Sequence, residues 1–323
     1  MRASELHIQA DHRLQNAENP KKIALIHTAL ALGASFLLLI LSAIVSELIA
    51  DTGGLDGMGT RAILSTIHDV LNLAVTIALP FWQMGIFFAA LRWARGGSAT
   101  LSDLLRGFRR WSSVLGCLLL QALLYTALAI FVAYVGSTIF MMTPLAAPLT
   151  EIFEPLMDPA ITQEQMLELM TPELMESALR ASVPLLIISG VLFAGIAIVI
   201  YYRIRFSSFA LMEGQTAGKA LLRSFAVTKS NCRNLVKLDL SFWWFYLLQV
   251  LLVAVSNGDL LLQLAGITLP MPDMAASLLF YALGAAGQLL LLWQFEAKRV
   301  TVYGIAYCTF AAPLDQENAI VEV

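Results

Sequence analysis

Six stretches of the chain run for about 20 residues with almost no polar interruption: 23–45, 70–91, 111–139, 183–201, 238–255 and 275–295. A helix rises about 1.5 Å per residue, so each stretch is long enough to cross a hydrocarbon core about 30 Å thick. A membrane-crossing strand would be half as long and would alternate apolar with polar positions, which none of the six does. The pattern therefore predicts an all-α, polytopic integral membrane bundle of about six transmembrane helices. Residues 1–20 are polar and lack an apolar core with a cleavage site, so the first span is expected to insert uncleaved. The expected organisation is a polar segment at 1–20, one six-helix domain at 21–310, and an acidic tail at 311–323.

Composition agrees with that solvent. Hydrophobic residues make up 59% of the 323 and charged residues 13%, with a mean hydropathy of +0.75. The net charge of -3 hides a segregation. With the N terminus inside, 18 of the 20 Lys and Arg fall on inner segments, chiefly the loops 92–110 and 203–237, and only Arg61 and Arg180 fall outside. Basic residues favour cytoplasmic loops, so both termini are expected in the cytoplasm.

The outer connection 143–180 has the opposite character: seven carboxylates against Arg180, several methionines, and enough leucine to pack as a cap. Thr171-Pro172-Glu173 reads as a helix start, with a short helix expected over 172–180 and another over 163–170. Although thioethers favour Cu(I), no MxxM cluster with supporting His or Cys occurs, and the cap methionines are read as packing groups.

The two inner loops share a pattern. Leu104-Leu105-Arg106-Gly107-Phe108 and Leu221-Leu222-Arg223-Ser224-Phe225 lie 117 residues apart, with Gly97 matching Gly214 at that offset. In the first copy Leu101, Leu104, Leu105 and Phe108 fall at i, i+3, i+4 and i+7, as on a helix lying in the membrane interface. Arg106, Arg109, Arg110, Arg223 and Arg233 are the cations expected to meet lipid headgroups or a partner protein.

Tyr202-Arg203-Ile204-Arg205-Phe206-Ser207, Ala220-Leu221-Leu222-Arg223-Ser224-Phe225 and Lys237-Leu238-Asp239-Leu240-Ser241-Phe242 together resemble the signature of domain of unknown function 975, a family of bacterial multi-helix membrane proteins. The resemblance covers roughly 201–252 well and 101–124 more loosely. That family is similar to the membrane domain attached to some glycerophosphodiester phosphodiesterases. What it implies is a bacterial plasma-membrane protein without an assigned reaction.

Ionisable residues near span ends come next, because charge within a bilayer is costly. Arg203 and Arg205 close the fourth span, Asp239 opens the fifth and Glu296 follows the sixth, so all four are expected at one depth as an inner polar cluster. Glu213-Gly214-Gln215-Thr216-Ala217-Gly218-Lys219-Ala220 fails as a phosphate loop: Glu213 replaces its first glycine and Ala220 its Ser/Thr. No catalytic constellation, metal site or cofactor is expected, and no nucleic-acid partner. The expected function is non-enzymatic engagement of membrane lipids, protein partners or a second copy through the basic helices. The alternative is a transporter of a small or amphiphilic substrate, with Gln83, Gln121, Gln249 or Gln288 lining a central cavity.

Overall fold

The computed structural model describes residues 2–51, 58–154, 171–267, 270 and 272–321. Among these every regular element is a helix, with no strand. We name the helices α1 (Ala3–Gln15), α2 (Pro20–Asp51), α3 (Met58–Ala94), α4 (Arg106–Arg109), α5 (Trp111–Met141), α6 (Ala147–Phe153), α7 (Pro172–Ile204), α8 (Ser207–Met212), α9 (Ala217–Thr228), α10 (Cys232–Ser241), α11 (Trp243–Ser256), α12 (Gly258–Leu264) and α13 (Asp273–Val321). Among the described residues five helices are long and apolar enough to cross a membrane; α10 and α11, bent by 60° between them, reach that length only if the pair is counted as one broken span. The chain is an all-α polytopic membrane protein.

It divides into two units, Met1–Cys117 with Arg205–Val323, and Leu118–Ile204. The axis of the first is α13, whose 49 residues extend about 73 Å, more than twice a hydrocarbon core. The segment 275–295 is the expected span, but the helix does not stop there. Its second half carries Ala297, Val300, Val302, Ala306 and Tyr307, all essentially buried. Against that half pack α1, α3 and α9, whose Arg223 bonds Tyr307, and the Phe209 ring of α8 stacks on Tyr307 with centroids 5.8 Å apart. At the α3 crossing the backbones nearly touch, since a Cβ on Gly304 would lie 3.0 Å from the Ala90 carbonyl oxygen. The core of this unit thus lies at its basic end. Apolar side chains gain little from burial where the surroundings are already apolar, whereas outside the bilayer water drives them together.

Several expected boundaries move. The polar segment 1–20 carries α1, which docks on α13. The tail from 311 continues α13 as helix to Val321. The fifth span breaks after Ser241, where the Ser241 hydroxyl donates to the Leu238 carbonyl at 2.6 Å, an alternative to the helical ladder. α11 covers about 21 Å alone, and α12 extends it toward the start of α13, where Ser277 bonds Asp259. α3 runs on through Pro80.

In the second unit the remainder of α5 meets α7 where a Cβ on Gly136 would lie 2.3 Å from Ser189 Oγ. α7 begins with the expected cap, the Thr171 hydroxyl accepting the Leu174 amide at 3.2 Å. The helix expected over 172–180 is continuous with the fourth span rather than separate. No residue in the most apolar stretch of this span is buried. The helix expected over 163–170 lies outside the described residues, as does the part of the acidic cap at 155–162.

Candidate functional site

The four residues expected to form an inner polar cluster divide. Arg205 and Asp239 are paired at 3.1 Å, both largely buried. Asp239 Oδ1 also accepts the Tyr303 hydroxyl and, at 3.4 Å, the Tyr246 hydroxyl, and the Arg205 guanidinium lies 4.4 Å from the Tyr303 ring centroid. Glu296 instead holds Arg299 on its own helix through two bonds of 2.7 and 2.8 Å. Arg203 falls in the second unit. His27, on α2, stands near the Glu296–Arg299 pair electrostatically; its ring stacks on Trp82 with centroids 5.6 Å apart, and the Trp82 indole donates to its carbonyl oxygen at 2.9 Å.

Further along α13 a second polar hub forms. Glu213, just past α8, accepts the Arg95 guanidinium and, at 2.5 Å, the Tyr307 hydroxyl. Arg223 donates to Tyr307 Oη at 2.9 Å and pairs with Asp315 at 2.8 Å. Arg110 reaches across to the carbonyls of Leu211 and Gly214, covering the carbonyl end of α8. Sequence reasoning missed Tyr303, Tyr307, Glu213, Arg95 and Arg299 as network members. A signal existed: Glu296, Arg299, Tyr303 and Tyr307 follow one another at three and four residues, a single helical stripe. It lay beyond the point where the sixth span was expected to end.

Charge in the two networks balances, with Arg205, Arg299, Arg95 and Arg223 against Asp239, Glu296, Glu213 and Asp315. Internal pairs of this kind stabilise a geometry but leave little net charge for a ligand. Of the five cations assigned to lipid or partner contact, Arg110 and Arg223 are engaged internally. The Arg106 guanidinium lies 5.1 Å from the Phe88 ring centroid, with Nε buried and unpartnered. Arg109 and Arg233 remain exposed.

The outward faces of two helices have a shared composition. On α9, Lys219, Leu222, Phe225 and, one residue past its end, Lys229 form an exposed stripe, with Leu222 71% exposed. On α10, Arg233, Val236, Lys237 and Leu240 form another. Their inner faces bury Ala220, Ser224 and Val227, and Leu235 and Leu238. The first loop departs from the expected single helix: a 3-10 turn at Leu101–Leu105 precedes α4, so only Leu104 is buried while Leu101, Leu105 and Phe108 point outward beside Trp111.

The small residues of the sixth span split between two roles. Gly284 and Gly287 admit α11, a Cβ on either falling within 2.4 Å of Ser256 or Leu252 atoms. Ala282, Ala285 and Ala286 line an open groove against α2 that contains none of the four glutamines named above. Among the described residues no His, Cys, Asp or Glu grouping is placed to hold a metal ion. No family model, curated protein or solved structure matches the chain.

Proposed function

We propose that the protein is a non-enzymatic, multi-pass plasma-membrane protein whose basic end faces the cytoplasm and engages anionic lipid headgroups through α9, α10 and the 101–111 loop. The observation that carries this reading is the pair of outward stripes, each alternating cations with large apolar side chains. A helix of that kind lies in the headgroup layer, its aliphatic groups among acyl chains and its ammonium and guanidinium groups against phosphates. The balance of charge inside the two networks supports it further, because the cations left over are those on the surface. Each contributes about 1 kcal/mol near an anionic leaflet, weakened by salt. The resemblance to domain of unknown function 975 is consistent with a bacterial inner membrane.

Trp111 and Trp243, each 62% exposed beside these elements, supply the readout. In reconstituted vesicles, brominated phosphatidylglycerol should quench tryptophan fluorescence with several-fold preference over brominated phosphatidylcholine at low salt. Combining Arg109→Gln, Lys219→Gln, Arg233→Gln and Lys237→Gln should bring that preference close to one. An unchanged preference would sink the proposal.

A transporter remains the second reading, supported by a parallel between the two basic turns. Each follows a helix end with a residue and a left-handed glycine, Arg95-Gly96 (φ 81°) and Glu213-Gly214 (φ 115°), one residue out of register with the 117-residue offset of the Leu-Leu-Arg motifs, and Arg95 bonds Glu213 directly. Related halves of this kind occur in secondary transporters. Substrate-dependent protection of Gln121→Cys or Gln249→Cys from a water-soluble thiol reagent would favour it over the lipid reading.

A further inference from the structure

We propose that α1 is a pH-sensitive strap: docked with His7 neutral it pins the bend between α10 and α11, and protonation of His7 releases it. The strap meets three elements, α3, α10 and α13. His7 reaches the bend itself, its Nε2 lying 2.8 Å from Ser241 Oγ and its ring centroid 4.7 Å from that of Phe242, the residue at the break. One turn further along α1, Asp11 pairs with Lys298 of α13 at 2.7 Å. Near the end of the strap the Arg13 guanidinium lies against Gly96, just past α3, where a Cβ would fall 2.5 Å from Nη1.

The state of the docked ring follows from its partner. Ser241 donates its single hydroxyl proton to the Leu238 carbonyl at 2.6 Å, so towards His7 it can only accept, and Nε2 must carry the hydrogen. In the neutral ring that leaves Nδ1 bare, and a further proton goes there. Burial and the Lys298 ammonium both oppose the imidazolium; Asp11 favours it less, and its carboxylate is already bonded to Lys298. Lys298 from α13 and Asp11 from its own helix are the charges that face the ring, and among the described residues none from α3 or α10 joins them. The docked imidazole is therefore held below the ordinary histidine range.

The sign is fixed by that depression. Released α1 takes up its proton near the ordinary histidine value, before docked α1 does, so docking is complete above that value and is lost as pH falls through the lower, docked one. Little apolar surface resists the loss. Of the 13 residues of α1 only Leu6 and Ala10 are buried, and residues 16–19 join it to α2, so the strap can open without the rest of the fold. Release takes from Ser241 the donor that meets it at the break.

The strap depends on contacts within the protein and not on lipid binding, so it and the lipid reading can fail separately. The full chain in nanodiscs is followed by amide hydrogen exchange from about pH 8 down to about pH 5.5, each rate divided by its intrinsic value at that pH. Residues 3–15 should exchange about fivefold faster or more at the acid end, 238–246 should loosen with them, and α9 should stay level. His7→Gln keeps a donor near the position of Nε2 and cannot titrate, so both segments should stay protected across the range even though His12 remains. Lys298→Gln removes the cation that opposes the imidazolium and leaves Asp11 to attract it. The acid loosening should then shrink about twofold or more, whereas a merely structural role for Lys298 would loosen α1 equally at every pH. Exchange of 3–15 that is level with pH, or that rises on acidification in His7→Gln as in the native chain, would overturn the switch. Loosening of 3–15 that leaves 238–246 protected would overturn its hold on the bend.

Discussion

The two basic turns, 95–111 and 213–231, carry nearly the same five-residue motif and expose it in nearly the same way, yet each is held by a different kind of interaction. Leu105 and Leu222 point outward, as do Phe108 and Phe225, while Gly107 and Ser224 are buried. In the first turn the buried position is a backbone contact. A Cβ on Gly107 would lie 2.0 Å from the Phe81 carbonyl oxygen, and one on Gly85 would lie 2.1 Å from the Leu104 oxygen, so the loop and α3 interlock through two glycines. In the second turn the Ser224 hydroxyl accepts the Phe206 amide at 3.0 Å, tying α9 to the chain that leaves α7. The arginines diverge likewise, Arg106 lying on the Phe88 ring and Arg223 bonding Tyr307 and Asp315. One motif therefore yields a steric lock in one place and a hydrogen-bonded lock in the other.

Three experiments test that contrast, in order of expected effect. Gly107→Ala should be the most damaging single change, because neither the Phe81 carbonyl nor its helix can yield 1 Å; a loss of about 3 kcal/mol or more is expected, read as a large fall in folded yield and melting temperature in detergent. If Gly107→Ala proves as mild as an ordinary surface change, the steric lock is wrong. Ser224→Ala keeps the shape and removes the acceptor, leaving the Phe206 amide buried without that partner. It should cost about 1–3 kcal/mol by chemical unfolding, with Ser224→Thr recovering part of it if the extra methyl is accommodated.

The smallest effect concerns pH. Burial pushes the Asp103 carboxyl up, but the Thr100 amide, the Arg92 guanidinium and the Thr100 hydroxyl together outweigh it and hold the group below the usual carboxylate range. A depressed folded value means that the unfolded chain takes up the proton first. The stabilisation is complete above the ordinary aspartate range and is lost as pH falls through the folded value. The second turn starts at Thr216 with no acid at the corresponding place. Amide exchange should therefore loosen 100–109 before 216–228 on acidification, and Asp103→Asn should make the first turn loose already at neutral pH. Equal loosening of both turns would remove this difference between them.

Much of the architecture was legible from the chain, because a bilayer demands long uninterrupted apolar helices and leaves few alternatives. The Thr171-Pro172 start was legible for an equally local reason: capping acts within one turn. The polar networks were not. Asp239 meets Arg205 across 34 residues, and Glu213 meets Arg95 across 118 and Tyr307 across 94, separations that no periodicity encodes. Glu296 was expected to join Asp239, but Arg299 stands one turn away on the same helix and captures it. The break at Ser241 carried no proline or glycine to mark it, and the interlocking of Gly85 with Leu104 depends on where two backbones cross.

What the chain determined alone was its solvent: six apolar stretches and the gathering of cations in two loops follow from composition along the chain, with no folding needed to see them. The tertiary structure decided which cations remain available. Arg110 and Arg223 are turned inward by carbonyls and carboxylates supplied from distant helices, while Arg109, Arg233, Lys219 and Lys237 stay at the surface. It also decided that the small residues of the sixth span close against α11 but stand open against α2. The physical reason is common to both. Hydropathy is a property of each residue, but whether a charge is paired or a glycine is covered is a property of what the rest of the chain brings to it.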